Sequence, residues 1–216
     1  LGTSLSAKTR KAIATLASKY NVYIVEDDYM ADLDDKRGFD PIYAYNHTDH
    51  VIYLKSFSKI IFPGLRLGAA VLPESLRSVF ATFKLYNTSL LSQAALDVYI
   101  KNGMYERHQH LIRGQYSNRL QKLSTTLELH DTDGTIQYPD VHTGVYTHFT
   151  LPRTVNMERL LNRLAARKVH VVSGNGYYWR GYLEREKLLR ISVLRAKAEQ
   201  MEAGVQAMIE ELRRGF

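Results

Sequence analysis

The chain has 216 residues, 45% hydrophobic and 24% charged, the balance of an ordinary globular protein with length for one large core or two smaller ones. No apolar run approaches the roughly 20 residues that span a bilayer, and the lack of cysteine excludes disulfides, thiolate metal centres and a cysteine nucleophile. The formal charge of +7 is uneven: residues 1–100 carry 11 basic and 10 acidic side chains and residues 101–216 carry 18 and 12, which reads as attraction for anionic ligands or nucleic acid, or as solvated helix faces.

The opening LGTSLSAKTRK lacks the basic start and apolar stretch of a signal peptide. Ser4 precedes a helical pattern, SAKTRKAIATLASKY, in which Ile13, Leu16 and Ala17 are spaced for one buried face and which Asn21 ends. VYIVE (22–26) predicts a short strand buried on both faces, and the acidic DDYMADLDDKRGFD follows as a loop. VIYLKSFS (51–58) is a second strand and LRLGAAVLP (65–73) a third, closed by Pro73. This order predicts an α/β layer with helices covering a sheet.

From Glu74 the periodicity turns helical: ESLRSVFATFKLY, then SLLSQAALDVYIKN stopped by Asn102-Gly103, then the long MYERHQHLIRGQYSNRLQKLSTTLEL. After the turn DTDG (131–134) come a strand GVYTHFTL (144–151), a helix NMERLLNRLAARK (156–168), strands VHVVSG (169–174) and LLRISV (188–193), and a terminal helix AEQMEAGVQAMIEELRR. This second half reads as a small α+β unit. The pattern changes near residue 90, dividing the chain into 1–90 and 91–216 inside helical sequence, with no repeat or low-complexity linker.

VIYLKSFSKIIFPGLRLG (51–68) concentrates the chemistry. Residues two apart on a strand point to one side, so Ser56 and Ser58 share a side and Lys59 follows at the turn. Pro63-Gly64 allows a tight reversal, and Arg66 returns with a fork suited to two phosphate oxygens. Two hydroxyls, an arginine and backbone amides make a phosphate cup, and a lysine among cationic groups and out of water is a nucleophilic amine. A cup beside such a lysine is what pyridoxal phosphate, held as a Schiff base, requires. In VEDDYM, Asp27 and Tyr29 are again two apart: a carboxylate to keep a ring nitrogen protonated and a phenol for a ring oxygen. Taken alone, Glu26, Asp27, Asp28, Asp32, Asp34 and Asp35 read first as a solvated acidic loop, next as a divalent-metal cluster and last as a cofactor site, an order that the Lys59 motif inverts.

At these residues the chain resembles a known family. SFSKIIFPGLRLG is similar to the lysine motif of fold-type I pyridoxal-phosphate enzymes of the class I/II aminotransferase group, and VEDDY and RLGAAVLP agree in order and spacing. More narrowly, VEDDY, VIYLKSFSK and SLLSQAALDVYIKNGMYERHQHLIRGQYSNRL resemble the aminotransferase-like domain of MocR regulators, GntR-type transcription factors that fuse a winged helix to an aminotransferase fold. The resemblance implies the C-terminal part of a fold-type I large domain, a mixed sheet flanked by helices, plus a small α+β domain. It implies Lys59 as the Schiff-base lysine, Asp27 as the pyridine-nitrogen partner and Tyr29 at the 3′ oxygen. It implies Ser56, Ser58 and Arg66 as phosphate ligands, and Arg190 in LLRISV as the clamp on a substrate α-carboxylate. An arginine in an apolar strand is costly unless paired, by a ligand carboxylate or an internal acid. Implied partners are an amino acid or amine, a second copy of the chain as a homodimer, and DNA only through a winged helix outside this sequence. The implied location is the cytoplasm. A genuine aminotransferase acting on an amino acid and a 2-oxo acid remains the alternative.

The family pattern Asn-Pro-x-Gly before the first helix is reduced here to Leu1-Gly2, so the chain is expected to be a fragment lacking the ring-stacking aromatic and the glycine-rich phosphate loop. It is therefore expected not to retain the cofactor alone. No metal site is expected: His108 and His110, two apart on a helix, do not face each other. Tyr146 and His148 share a strand face that reads as half-buried packing, and YYWR (177–180) as loop packing near the mouth of the site. Zinc spacings, P-loops and nucleophile elbows are absent from the sequence.

Overall fold

The Ser6 side chain, two residues later than the pattern suggested, accepts from the Thr9 N–H and starts α1, Ala7–Tyr20. Asn21, in the left-handed region at φ 52°, ends it. The buried face is Arg10, Ala14 and Ala17, with Leu16 exposed, so the expected face is rotated by about one residue. These coordinates come from a computed structural model that describes residues 2, 4–33, 40–45, 49–83, 89–139, 145–194 and 196–215. Asp34, Asp35, the end of ESLRSVFATFKLY and Gly144 lie outside the described residues.

The chain divides into two compact units, Ser4–Arg113 and Gly114–Phe216, the latter with Gly2. This division lies some twenty residues beyond the change of pattern near 90, because the start of a long helix bonds back onto the first unit, as the Asp32 contacts below show.

In Ser4–Arg113 a three-stranded mixed sheet runs in the order β1 (Ile24–Asp27), β2 (Val51–Ser56), β3 (Gly68–Val71), with β1 and β2 parallel and β3 antiparallel to β2. Gly68 is required where it stands, since a Cβ there would meet the Lys55 carbonyl oxygen at 2.9 Å. One sheet face packs against α1 through Ile13, Ala14, Ile24 and Val51, with Ile42 of a short 3₁₀ turn (Ile42–Tyr45). The sheet departs from the expected two-sided burial: Val25 on the other face is 60% exposed, and β3 is exposed on both faces. Apolar composition marks a face that can be covered, and no described element covers this one. α2 (Glu74–Thr82), α3 (Leu90–Lys101) and the first turns of α4 (Met104–His130) complete the unit.

In Gly114–Phe216 an antiparallel sheet runs β4 (Tyr146–Leu151), β6 (Lys187–Ser192), β5 (Val172–Ser173). Phe149, Leu151, Leu189 and Val193 meet Leu120, Leu123 and Leu127 of α4, Leu160 and Leu164 of α5 (Met157–Ala166), and Val205, Met208 and Ile209 of α6 (Ala198–Arg213). The spacings i, i+3, i+7 on α4 and i, i+4 on α5 are those of one buried stripe, and truncating a fully buried member such as Leu164 to Ala costs about 2–5 kcal/mol. β5 is shorter than VHVVSG suggested. Lys168, at φ 61°, and the Val169 N–H bonded to the Leu164 carbonyl at 2.9 Å are spent on leaving α5. Ser173 then caps a 3₁₀ turn, Gly174–Tyr177.

Candidate functional site

The parallel pairing of β1 and β2 sets Asp27 opposite Leu54, and the Asp28 N–H continues the ladder to the Leu54 carbonyl at 2.8 Å. Paired residues in a parallel ladder share a face, and faces alternate along a strand. Asp27, Leu54 and Ser56 therefore lie on the open face, and Glu26, Tyr53 and Lys55 on the packed one. Asp27 is exposed at the end of β1, the usual place for a ligand group in an α/β sheet.

Past the strand ends the two-apart argument no longer applies. β1 stops at Asp27, and Tyr29 stands in a turn, 39% exposed. β2 stops at Ser56, and Ser58 opens the next turn with its N–H donating to the Ser56 Oγ at 3.3 Å. The Ile61 N–H bonds the Phe57 carbonyl at 3.0 Å, closing a helical turn that carries Lys59. Lys59 is half-buried, and its amine has no hydrogen bond or ion pair among the described residues. A 3₁₀ turn, Pro63–Leu65, leads to Arg66, exposed at φ 54° and ψ 38°. Among the described residues its guanidinium donates to the Pro63 carbonyl alone, at 3.4 Å. Ser56, Ser58, Lys59 and Arg66 thus stand around one short reversal. Two hydroxyls, an amine and a guanidinium suit an anionic group that carries an aldehyde, so the donor set fits pyridoxal phosphate.

The packed face holds what the sequence reading missed. Glu26 is buried and accepts from Arg10 at 3.0 Å and from the Ile42 and Tyr43 N–H groups at 2.9 Å each. Asp28 accepts from the Tyr53 hydroxyl at 3.1 Å. Asp32, 8% exposed, accepts from Lys55 at 2.8 Å, the Tyr105 hydroxyl at 2.6 Å and Gln109 at 2.9 Å, while its carbonyl accepts from Arg113 at 2.7 Å. His108 Nε2 lies 2.8 Å from the Ile60 carbonyl and donates to it. The described acids of VEDDYM are thus divided between protein donors and one open face, and no described cluster of three or more metal-ligand side chains forms. None of these partners has a local spacing by which sequence could announce it.

Arg190 belongs to the other unit. It lies on the central strand β6 between His148 and Val172, with its guanidinium 3.7 Å from the Tyr146 ring centre and 5.7 Å from that of Tyr177. No acidic partner pairs it among the described residues, so aromatic faces take the place of the internal acid that sequence left open. Tyr146 and His148 are half-buried on one face of β4, as expected. In the loop after the Gly174–Tyr177 turn, Tyr178 and Tyr182 stack at 5.7 Å, and Arg185 binds the carbonyls of Trp179, Arg180 and Tyr182.

A mixed sheet with a lysine turn after its second strand, followed along the chain by a small α/β unit, is the element order of a fold-type I domain. Residues 1–208 match the family described as Aminotransferase class I and II, and the chain belongs to that family. It is 40% identical, over 98% of its length, to an uncharacterized HTH-type transcriptional regulator, YcxD, of Bacillus subtilis, and covers 49% of that protein. It is 26% identical, over 98% of its length, to aromatic-amino-acid aminotransferase 1 of Thermococcus litoralis, covering 51% of it. Among solved structures, a multiple substrate aminotransferase from Thermococcus profundus superposes with a TM-score of 0.88 at 25% identity, over 99% of this chain and 53% of the other. The chain spans about half the length of the relatives it matches.

Proposed function

We propose that this chain is the aminotransferase-like, pyridoxal-phosphate-binding effector domain of a transcription regulator of the MocR and GntR type. The reading is carried by the Lys59 amine, half-buried and without a described partner, on a turn flanked by Ser56, Ser58 and Arg66. The 40% identity to an HTH-type regulator supports the regulator over the enzyme.

When bound, the cofactor supplies an electron sink for an amine attached to it. The roles of the chain's own groups are those that the family resemblance implies and their chemistry suits. Lys59 offers the amine that holds the cofactor's aldehyde. Asp27 would keep the proton on the pyridine nitrogen, and the Tyr29 hydroxyl would donate to the ring oxygen. Ser56, Ser58 and Arg66 hold the phosphate. Arg190 orients a carboxylate with the N–H edges that its aromatic stacking leaves free. The effector is then an amino acid or amine, the protein a cytoplasmic homodimer, and DNA is engaged by a winged helix outside this sequence.

The enzyme alternative is favoured by one observation, the relative named as an aromatic-amino-acid aminotransferase. In that reading the Lys59 amine also moves the proton at the substrate's α-carbon.

The test adds pyridoxal phosphate to the intact protein and to Lys59→Ala. The wild type is expected to gain visible absorbance and a borohydride-trapped adduct on Lys59, and the variant neither. Equal labelling of both would overturn the assignment. Transfer of the amino group to a 2-oxo acid would select the enzyme, and a change in operator DNA affinity on adding an amine would select the regulator. Sedimentation of the loaded protein as a dimer is the expected assembly, and a monomer at high concentration counts against it.

A further inference from the structure

We propose that the first turns of α4 position the pyridoxal-phosphate site: Tyr105 and Gln109 fix Asp32, His108 fixes Ile60, and the turns bearing Tyr29 and Lys59 are thereby held at one spacing. This rests on the reading above.

The anchors fall beside the candidate ligands in sequence and behind them in space. Asp32 is three residues after Tyr29, Lys55 is one before Ser56, and Ile60 is one after Lys59. Asp32 and Lys55 join each other at 2.8 Å, tying the turn after β1 to the last residues of β2. On α4, residues 105, 108 and 109 are three and four apart and so lie on one face of one rigid element. That face donates to Asp32 through the Tyr105 hydroxyl (2.6 Å) and the Gln109 amide (2.9 Å), and to the Ile60 carbonyl through His108 (2.8 Å). Both turns therefore share one splint.

The chemistry selects for fixed geometry rather than for burial alone. An apolar contact between helix and sheet tolerates sliding, whereas a buried carboxylate with three charge-assisted donors loses a bond for any displacement. The Lys55 ammonium also stands beside the Phe57 and Tyr105 rings, 5.6 and 5.7 Å from their centres, where those rings meet edge-on at 6.0 Å. The phenol of Tyr105 is held protonated, first by burial and then by its bond to Asp32, so it remains a donor throughout the working range. Tyr105 and Gln109 therefore act through Asp32 and its partner Lys55, and His108 acts through the Ile60 backbone.

The test uses the intact protein and the variants Tyr105→Phe, His108→Leu and His108→Gln. Three quantities are read: the thermal midpoint without cofactor, the dissociation constant for pyridoxal phosphate well below that midpoint, and the pH midpoint of the bound chromophore. Tyr105→Phe and His108→Leu are each expected to weaken binding about tenfold, the loss of one charge-assisted or buried hydrogen bond, and to shift the chromophore's pH midpoint. His108→Gln, whose amide still donates, is expected to stay within about threefold of wild type. A purely structural role would lower the thermal midpoint and leave the other two readouts unchanged, which overturns the proposal. His108→Gln as weak as His108→Leu also overturns it. If Tyr105→Phe fails to fold, the half-buried His108 pair decides. A wild type that gives no Lys59 adduct removes the parent reading and this one together, whereas a normal adduct with unaltered variants removes this one alone.

Discussion

The Arg190 guanidinium lies flat enough on Tyr146 for their centres to stand 3.7 Å apart, and the strand register places His148 beside it rather than an acid. Stacking occupies the guanidinium face and leaves the N–H edges available. Tyr146→Leu is expected to weaken an amino acid's effect on the chromophore of the loaded protein by roughly three- to fivefold, the worth of one partly exposed cation–π contact. Arg190→Lys removes the planar fork itself and is expected to cost more than about tenfold. Titration of the chromophore with amino acid, in parallel with the decarboxylated amine, reads both. The amine's affinity should be unchanged in the two variants.

Glu26 and Arg10 are a buried pair whose carboxylate also takes two backbone N–H groups. Removing one member strands the other. Glu26→Ala is expected to lower the unfolding free energy by about 3–5 kcal/mol, whereas an Arg10→Met, Glu26→Leu double replacement recovers part of it. Urea unfolding should show the loss as a shifted midpoint with an unchanged slope.

Burial, with the bond to Asp32 second, raises the Tyr105 phenol well above the ordinary tyrosine range. A raised folded value means that its stabilisation is whole below the unfolded tyrosine value and is lost as pH rises towards the folded one. Alkaline titration of phenolate absorbance is expected to leave Tyr105 un-ionised until the chain unfolds, with Tyr116, also raised by burial, ionising later than the exposed tyrosines. Tyr105→Phe removes that phase.

Two carboxylates of α6 move the other way. The hydrogen bond from Lys122 lowers Glu202, and the hydrogen bond from Arg167 lowers Glu210. Lowered folded values mean that their contribution is whole above the ordinary glutamate range and fades as pH falls through the folded values. Acid unfolding of Glu202→Gln and Glu210→Gln should show a shallower loss of stability on acidification than wild type, and added salt should narrow the difference because both groups face solvent.

The parts of the candidate site that sequence could propose are those whose logic is local. Ser56, Ser58, Lys59 and Arg66 occupy eleven consecutive positions, and Asp27 ends an apolar run that could only be a strand. Tyr29 and Ser58 were grouped by strand alternation, yet pairing ends at Asp27 and Ser56, because apolar composition does not say where a neighbour stops. Asp32 read as one more acid in a loop. Its partners Tyr105, Gln109 and Arg113 lie 73 to 81 positions away, beyond any spacing rule. His108 was weighed only against His110 as a metal pair, whereas its partner is a backbone carbonyl that every residue type carries. The edge of the first compact unit escaped for the same reason, since these long-range bonds draw the start of α4 into it.

The distance along the chain between Lys59 and its splint also has a meaning in time. During synthesis, at about 5–20 residues per second, the stretch from Lys59 to Arg113 takes roughly 3–11 s to follow it. Over that interval the Asp32 carboxylate has Lys55 but neither Tyr105 nor Gln109, and the Ile60 carbonyl lacks His108. Contacts of such separation carry a loop-closure cost and form late, after the local turns. The proposed splint is therefore the last part of the candidate site to assemble, after the turn that carries Lys59 has formed.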